Sequence, residues 1–185
     1  MTALTALWLP ILLAAVFVFL VSSIIHMALP IHRSDFKKLP EEDKIRDAVR
    51  GTPAGQYMFP NAGSMKEMGT PEMQEKLRVG PVGVMMVRSP ESWNMGTALL
   101  KWFVYTLVVG VFCAYLTGIG HAPGTEYLSI FRFAGAIAFL GYVFSHVHEW
   151  TWKGLDTSIM LKFMIDGVVY SLITAGTFAW LWPAA

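Results

Sequence analysis

Four apolar runs of roughly 20 residues, the length that crosses a bilayer as a helix, leave this chain few ways to fold: residues 7–29, 97–116, 128–150 and 158–181. Backbone amides in hydrocarbon must find their partners within the segment, so each run is expected to be a helix. With 55% hydrophobic and only 15% charged residues, the composition excludes an ordinary soluble domain. The expected fold is an all-α integral membrane protein, a four-transmembrane-helix bundle with a small helical cytoplasmic cap, residues 31–95, between helices 1 and 2. No repeat divides the chain, and residues 1–185 read as a single membrane domain. Neither Lys nor Arg precedes the first run, and no small-residue cleavage site follows it, so it is expected to be an anchor rather than a signal peptide.

Charge distribution sets the expected orientation. Ten Lys and Arg residues lie between Pro30 and Thr97, Lys153 and Lys162 flank the third connection, and "TGIGHAPGTEY" has none. The positive side is expected to be cytoplasmic, which puts both termini outside a bacterial-type inner (plasma) membrane and residues 31–95 inside. Arg132, near the outer end of helix 3, has a stem long enough to snorkel to the interface. The 14 basic and 13 acidic residues nearly cancel, so nothing points to a nucleic-acid partner. Cys113 is the lone cysteine, which rules out an intrachain disulfide or a cysteine-based metal cluster.

Within the connection, "LPEEDKIRDAVRG" predicts a helix over 40–50, begun by Pro40 and stopped by Gly51. "TPEMQEKLRVGP" predicts another, with Thr70 as N-cap and Gly80-Pro81 as terminator. Between them "AGQYMFPNAGS" reads as loop. "VGVMMV" reads as a short strand or a surface segment.

The polar residues inside the runs carry what chemistry there is. In "SHVHEW", His146 and His148 stand two apart, about 200° around a helix, and cannot share one ion. His148 falls in line with Ala134, Ala138, Gly141 and Ser145, a small-residue stripe suited to close helix packing. His146 lies on the opposite, more polar face with Glu149. Helix 4 carries Asp166, followed at helical spacing by Tyr170, Thr174 and Thr177. An ionised carboxylate at that depth needs a partner, and Lys162 one turn earlier is the nearest candidate. Helix 1 adds Ser22 and His26 on one face, and helix 2 begins with Lys101. His26, Lys101, His146, Glu149, Lys162 and Asp166 are therefore expected in the same, inner, half of the membrane.

Such a cluster supports three readings: a satisfied ion-pair network that fixes helix register, a metal or haem b site using His26 and His146, or a proton or solute pathway using Asp166 with a histidine. No H-E-x-x-H, C-x-x-C-H, nucleophile elbow or phosphate loop occurs. Met58, Met65, Met68 and Met73 have the soft sulfur of a Cu(I) site, but the connection holds only His32 beside them, and gap-filling within a small cap is the simpler reading. Tryptophans near the helix ends read as interfacial anchors. The stripe Gly167, Ser171, Ala175 adds a packing surface on helix 4. The sequence thus points first to a non-catalytic accessory or self-assembling subunit without cofactor, embedded in the bilayer and contacting other membrane chains or its own copies. A haem- or metal-binding redox protein, or a proton or solute pathway, is the competing class.

Overall fold

The computed structural model describes all 185 residues, Met1–Ala185. Its elements are α1 (Trp8–Ser23), α2 (Glu42–Ala48), β1 (Gly55–Phe59), α3 (Met65–Met68), α4 (Pro71–Val79), β2 (Gly83–Val87), α5 (Met95–Gly120), α6 (Tyr127–Val143), α7 (Val147–Lys153) and α8 (Thr157–Trp180). Four helical stretches are long and apolar enough to cross a membrane, namely Leu4–Ala28, Met95–Gly120, Tyr127–Lys153 and Thr157–Trp180. They fall where the apolar runs predict them. Two compact units emerge: Met1–Phe36 with Met95–His148 and Asp156–Ala185, and Lys37–Asn94 with Glu149–Leu155. Residues 31–36, assigned above to the cap, belong to the helical unit.

In the helical unit α1 packs on α5, α5 on α6, α6 on α8, and α8 back on α1. A ring of four helices closes around Leu7, Val18, Ile130, Cys113 and Phe178, none of which is exposed. Water contributes little to association between helices in lipid, so close approach of their backbones matters most. The glycines show where that approach occurs. A methyl on Gly167 would sit 2.9 Å from the Tyr142 carbonyl, and one on Gly135 would meet the Ala175 methyl at 3.1 Å. The stripe Gly167, Ser171, Ala175 is thus buried, with Gly167 and Ala175 set against α6 of the same chain. Ala134 and Ala138 are fully buried too, while Gly141 faces Val109 on α5.

That second stripe does not continue to His148 as predicted. The regular helix stops at Val143, and Phe144–His146 form a 3-10 turn before α7. A 3-10 turn advances about 120° per residue instead of about 100°, so counting by threes and fours fails beyond it. Side chains take up carbonyls at this break: Tyr105 Oη donates to Gly141 O at 2.6 Å and Ser145 Oγ to Tyr142 O at 3.0 Å. His148 and Ser145 end up exposed. The C-terminal end of α1 is irregular as well, with a π turn over Ile24–Ala28.

Opposite these breaks, backbone bonds tie the chain ends to the last turn of α5 and to the α5–α6 connection. Thr2 N donates to Gly118 O and Gly124 N to Pro183 O, both at 2.8 Å. The indole of Trp182 donates to Ala122 O at 3.0 Å. Trp102 departs from the expected anchor role: it is half-buried, donates to Ser22 Oγ at 2.8 Å, and packs against Tyr105, Tyr142 and Tyr170.

The second unit is not wholly helical. β1 and β2 pair antiparallel, from Gly55 opposite Val87 to Phe59 opposite Gly83, so "GQYMF" is strand instead of loop and "GVMMV" is its partner. The aromatic residues of β1, Tyr57 and Phe59, and the β-branched residues of β2, Val84 and Val87, suit strands, and the Phe59 ring covers Gly83, where a methyl would meet it at 2.9 Å. α2 begins at Glu42, two residues after Pro40. α4 starts as predicted, with Thr70 Oγ1 accepting from Met73 N at 3.3 Å, and stops at Gly80, whose φ is 67°. Met73 is buried while Met65 is 87% exposed, so these thioethers occupy different environments.

Candidate metal centre

Pro30 cannot extend the helix that precedes it, and Pro30–His32 fold into a short 3-10 turn that brings the chain back toward α8. Three polar side chains from three segments meet there: His26 from the π turn, His32 from the 3-10 turn and Asp166 from the third turn of α8. His32 Nε2 lies 2.9 Å from Asp166 Oδ2, and His26 Nε2 lies 3.5 Å from the same oxygen. One ligand atom from each falls within 4.8 Å of the others. Zinc-like ions hold nitrogen and oxygen ligands at about 2.0–2.1 Å, which sets tetrahedral ligand atoms roughly 3.3 Å apart. The two measured separations bracket that value.

A second layer holds His32. Its Nδ1 lies 2.6 Å from Asp35 Oδ2, and Asp35 Oδ1 accepts from Lys162 Nζ at 2.6 Å. Lys162 also donates to Ile31 O at 2.9 Å and Ser34 Oγ at 3.1 Å. The side chains of Asp35 and Asp166 are 4% and 6% exposed. Burial, the largest influence on Asp35, opposes its charge, yet the hydrogen bonds from Lys162 and His32 outweigh it and hold the carboxyl below the usual carboxylate range. An ionised Asp35 accepts the Nδ1 proton of His32, which leaves Nε2 to face Asp166, either donating to it or available to an ion. Carboxylate–histidine–metal arrangements use this same division of labour.

Charge counting reaches the same place. Asp35 has the Lys162 ammonium as its partner, whereas Asp166 has the two imidazoles, so a positive charge beside Asp166 would complete the balance. Either an imidazolium at His32, donating to both carboxylates, or a cation between His26, His32 and Asp166 supplies it.

The predicted site residues separate accordingly. His26 and Asp166 come together. Lys162 joins through Asp35, to which it donates at 2.6 Å, and its other bonds go to Ile31 O and Ser34 Oγ. His146 stacks on Phe163, centroids 4.5 Å apart, and lines one cavity with His26 and Asp166. What lies against both His26 and His146 is the Phe163 ring; the imidazole that joins His26 at Asp166 is His32, its centroid 4.2 Å away. Lys101 is exposed, and Glu149 accepts from Lys153 at 2.8 Å in the second unit. His32 and Asp35 stand outside the cluster expected from the sequence. Their i, i+3 spacing directly after an apolar run ending in Pro30 was the available signal.

Beside the cluster opens a cavity of about 470 Å³, walled by α1, α5, α6 and α8 and by Phe163, Trp102, Tyr105 and Tyr142. Compared with known proteins, the chain matches no family model, no curated protein and no solved structure at a significant level.

Proposed function

We propose that this chain is a metal-binding membrane protein in which His26, His32 and Asp166 hold a divalent transition ion beside an apolar cavity, serving redox or other metal-dependent chemistry. The observation that carries it is convergence: three ligand atoms from three separate segments lie within 4.8 Å of one another, and Asp35 stands 2.6 Å from the other ring nitrogen of His32. Two imidazoles and one carboxylate suit zinc, iron or copper better than magnesium or calcium. Three protein ligands leave a coordination position for a small molecule, as in catalytic rather than structural sites. The competing reading, a non-catalytic accessory or self-assembling subunit acting through helix contacts, draws on the stripe Gly167, Ser171 and Ala175, of which Gly167 and Ala175 lie against α6 within the chain.

The test is direct. Chelator-treated protein in detergent is expected to bind one cobalt(II) per chain with a d–d absorption band. His26→Ala, His32→Ala and Asp166→Asn should each abolish the saturable signal, whereas His146→Ala and His148→Ala should keep it. Absence of saturable binding in the unmodified protein, or loss on changing His146 with retention on changing His32, overturns the assignment.

The protein is proposed to sit in a bacterial-type inner membrane with both termini outside and the connection cytoplasmic, on the strength of the ten basic residues in that connection. Ser64→Cys, placed in a Cys113→Ala background, is expected to resist an impermeant maleimide in intact cells and to react after permeabilisation. Ready labelling from outside reverses the orientation.

A further inference from the structure

We infer that the cavity between α1, α5, α6 and α8 is a binding site for a quinone, a flat lipid-soluble ring bearing carbonyl oxygens. The metal cluster does not explain its most unusual feature. Tyr170 lies on α8 one turn beyond Asp166, lines the cavity and is only 4% exposed, yet its hydroxyl has no hydrogen-bond partner. A buried hydroxyl without a partner is costly and rare in folded proteins. Here it belongs to a residue that lines a cavity large enough for a ligand, about 470 Å³, and an acceptor oxygen on a molecule seated there would complete it.

The walls select the rest of that molecule. Trp102 and Tyr105 stack at 25° with centroids 5.6 Å apart, and Phe163 and His146 at 20° and 4.5 Å. Flat aromatic faces favour a flat ring over a branched or aliphatic group. Leu99, Met27 and Met95 complete a lining that is mostly carbon, and the helices that supply it are those long and apolar enough to cross a membrane. A ligand arriving from lipid, planar and carrying carbonyl acceptors, meets all three conditions. Binding needs no metal, because Tyr170 and Trp102 stand outside the metal cluster.

Decylubiquinone is the probe, titrated calorimetrically into the detergent-solubilised chain. Saturable one-site binding is expected. Tyr170→Phe removes a hydroxyl that bonds to nothing in the protein, so stability without ligand should be unchanged or higher, while affinity should fall about tenfold, the worth of one hydrogen bond. Ala98→Phe, which fills the cavity from an accessible position, should abolish binding. His32→Ala should lose cobalt yet bind decylubiquinone within about twofold of the unmodified chain, as independent sites do, so failure of the metal reading and failure of this one are separable. Three results overturn the proposal: no saturable binding, equal affinity in Tyr170→Phe and the unmodified chain, or dodecylbenzene, which has ring and tail but no carbonyl, binding as tightly as decylubiquinone.

Discussion

Gly167→Ala is expected to destabilise the helical unit strongly, and more than a methyl added at Gly135 or Gly141 of the same interfaces. The new carbon would meet the carbonyl carbon and oxygen of Tyr142 at 2.9 Å and the α-carbon of Val143 at 3.0 Å, all backbone. Backbone atoms of a packed helix cannot turn aside as a side-chain tip can, so α6 and α8 must separate along their shared seam. The cost should lie at the upper end of the about 1–3 kcal/mol typical of overpacking, and Gly167→Leu should prevent recovery of folded protein. Gly141→Ala is the comparison. Its methyl would meet side-chain carbons of Val109 at 3.3 Å and 3.4 Å, which can give, and it should cost less than about 1 kcal/mol. Phe144→Leu, at a 48% exposed position, should be similarly mild. Reversible unfolding in mixed detergent micelles would rank the variants, and equal losses for Gly167→Ala and Gly141→Ala would remove the case for backbone contact at Gly167.

The second large effect is expected from Asp35→Asn. Asparagine is close in shape but uncharged, so it leaves the Lys162 ammonium without its counter-ion and no longer fixes the tautomer of His32. Losing a partner of this kind costs metal sites about 10- to 100-fold in affinity. Stripping one partner from a largely buried ion pair costs about 3 kcal/mol or more, with some relief here because the Lys162 side chain is 25% exposed. The two consequences can be separated by adding Lys162→Met. The double variant removes the orphaned charge and should regain about 1–3 kcal/mol through coupling of the two sites, yet its cobalt affinity should stay low because His32 remains unanchored. Full recovery of cobalt affinity in the double variant would show that Asp35 acts on Lys162 alone.

The number and placement of the long helices were legible in the sequence, because crossing hydrocarbon is a local requirement: length and apolar content decide it without reference to the rest of the chain. Caps were legible for the same reason, as at Thr70 and Gly80, whose geometry depends on a few neighbouring residues. The need of Asp166 for a partner could also be deduced, since a carboxylate inside an apolar run has one physical remedy.

Which partner it takes was decided only by tertiary structure. The nearest cation in sequence, Lys162, pairs with Asp35 instead, and the imidazoles that reach Asp166 come from residues 140 and 134 positions earlier. Face counting on a regular helix placed His148 in a packing seam; side-chain bonds to the Gly141 and Tyr142 carbonyls accompany a 3-10 turn, and that face is exposed. β1 and β2 likewise pair across 23 intervening residues, Pro60 to Val82, a contact that no short window contains. Local chemistry settles which segments become helices, but a site assembled from three segments depends on where proline, a π turn and a 3-10 turn redirect the chain, and those redirections take their meaning only from the neighbours they meet.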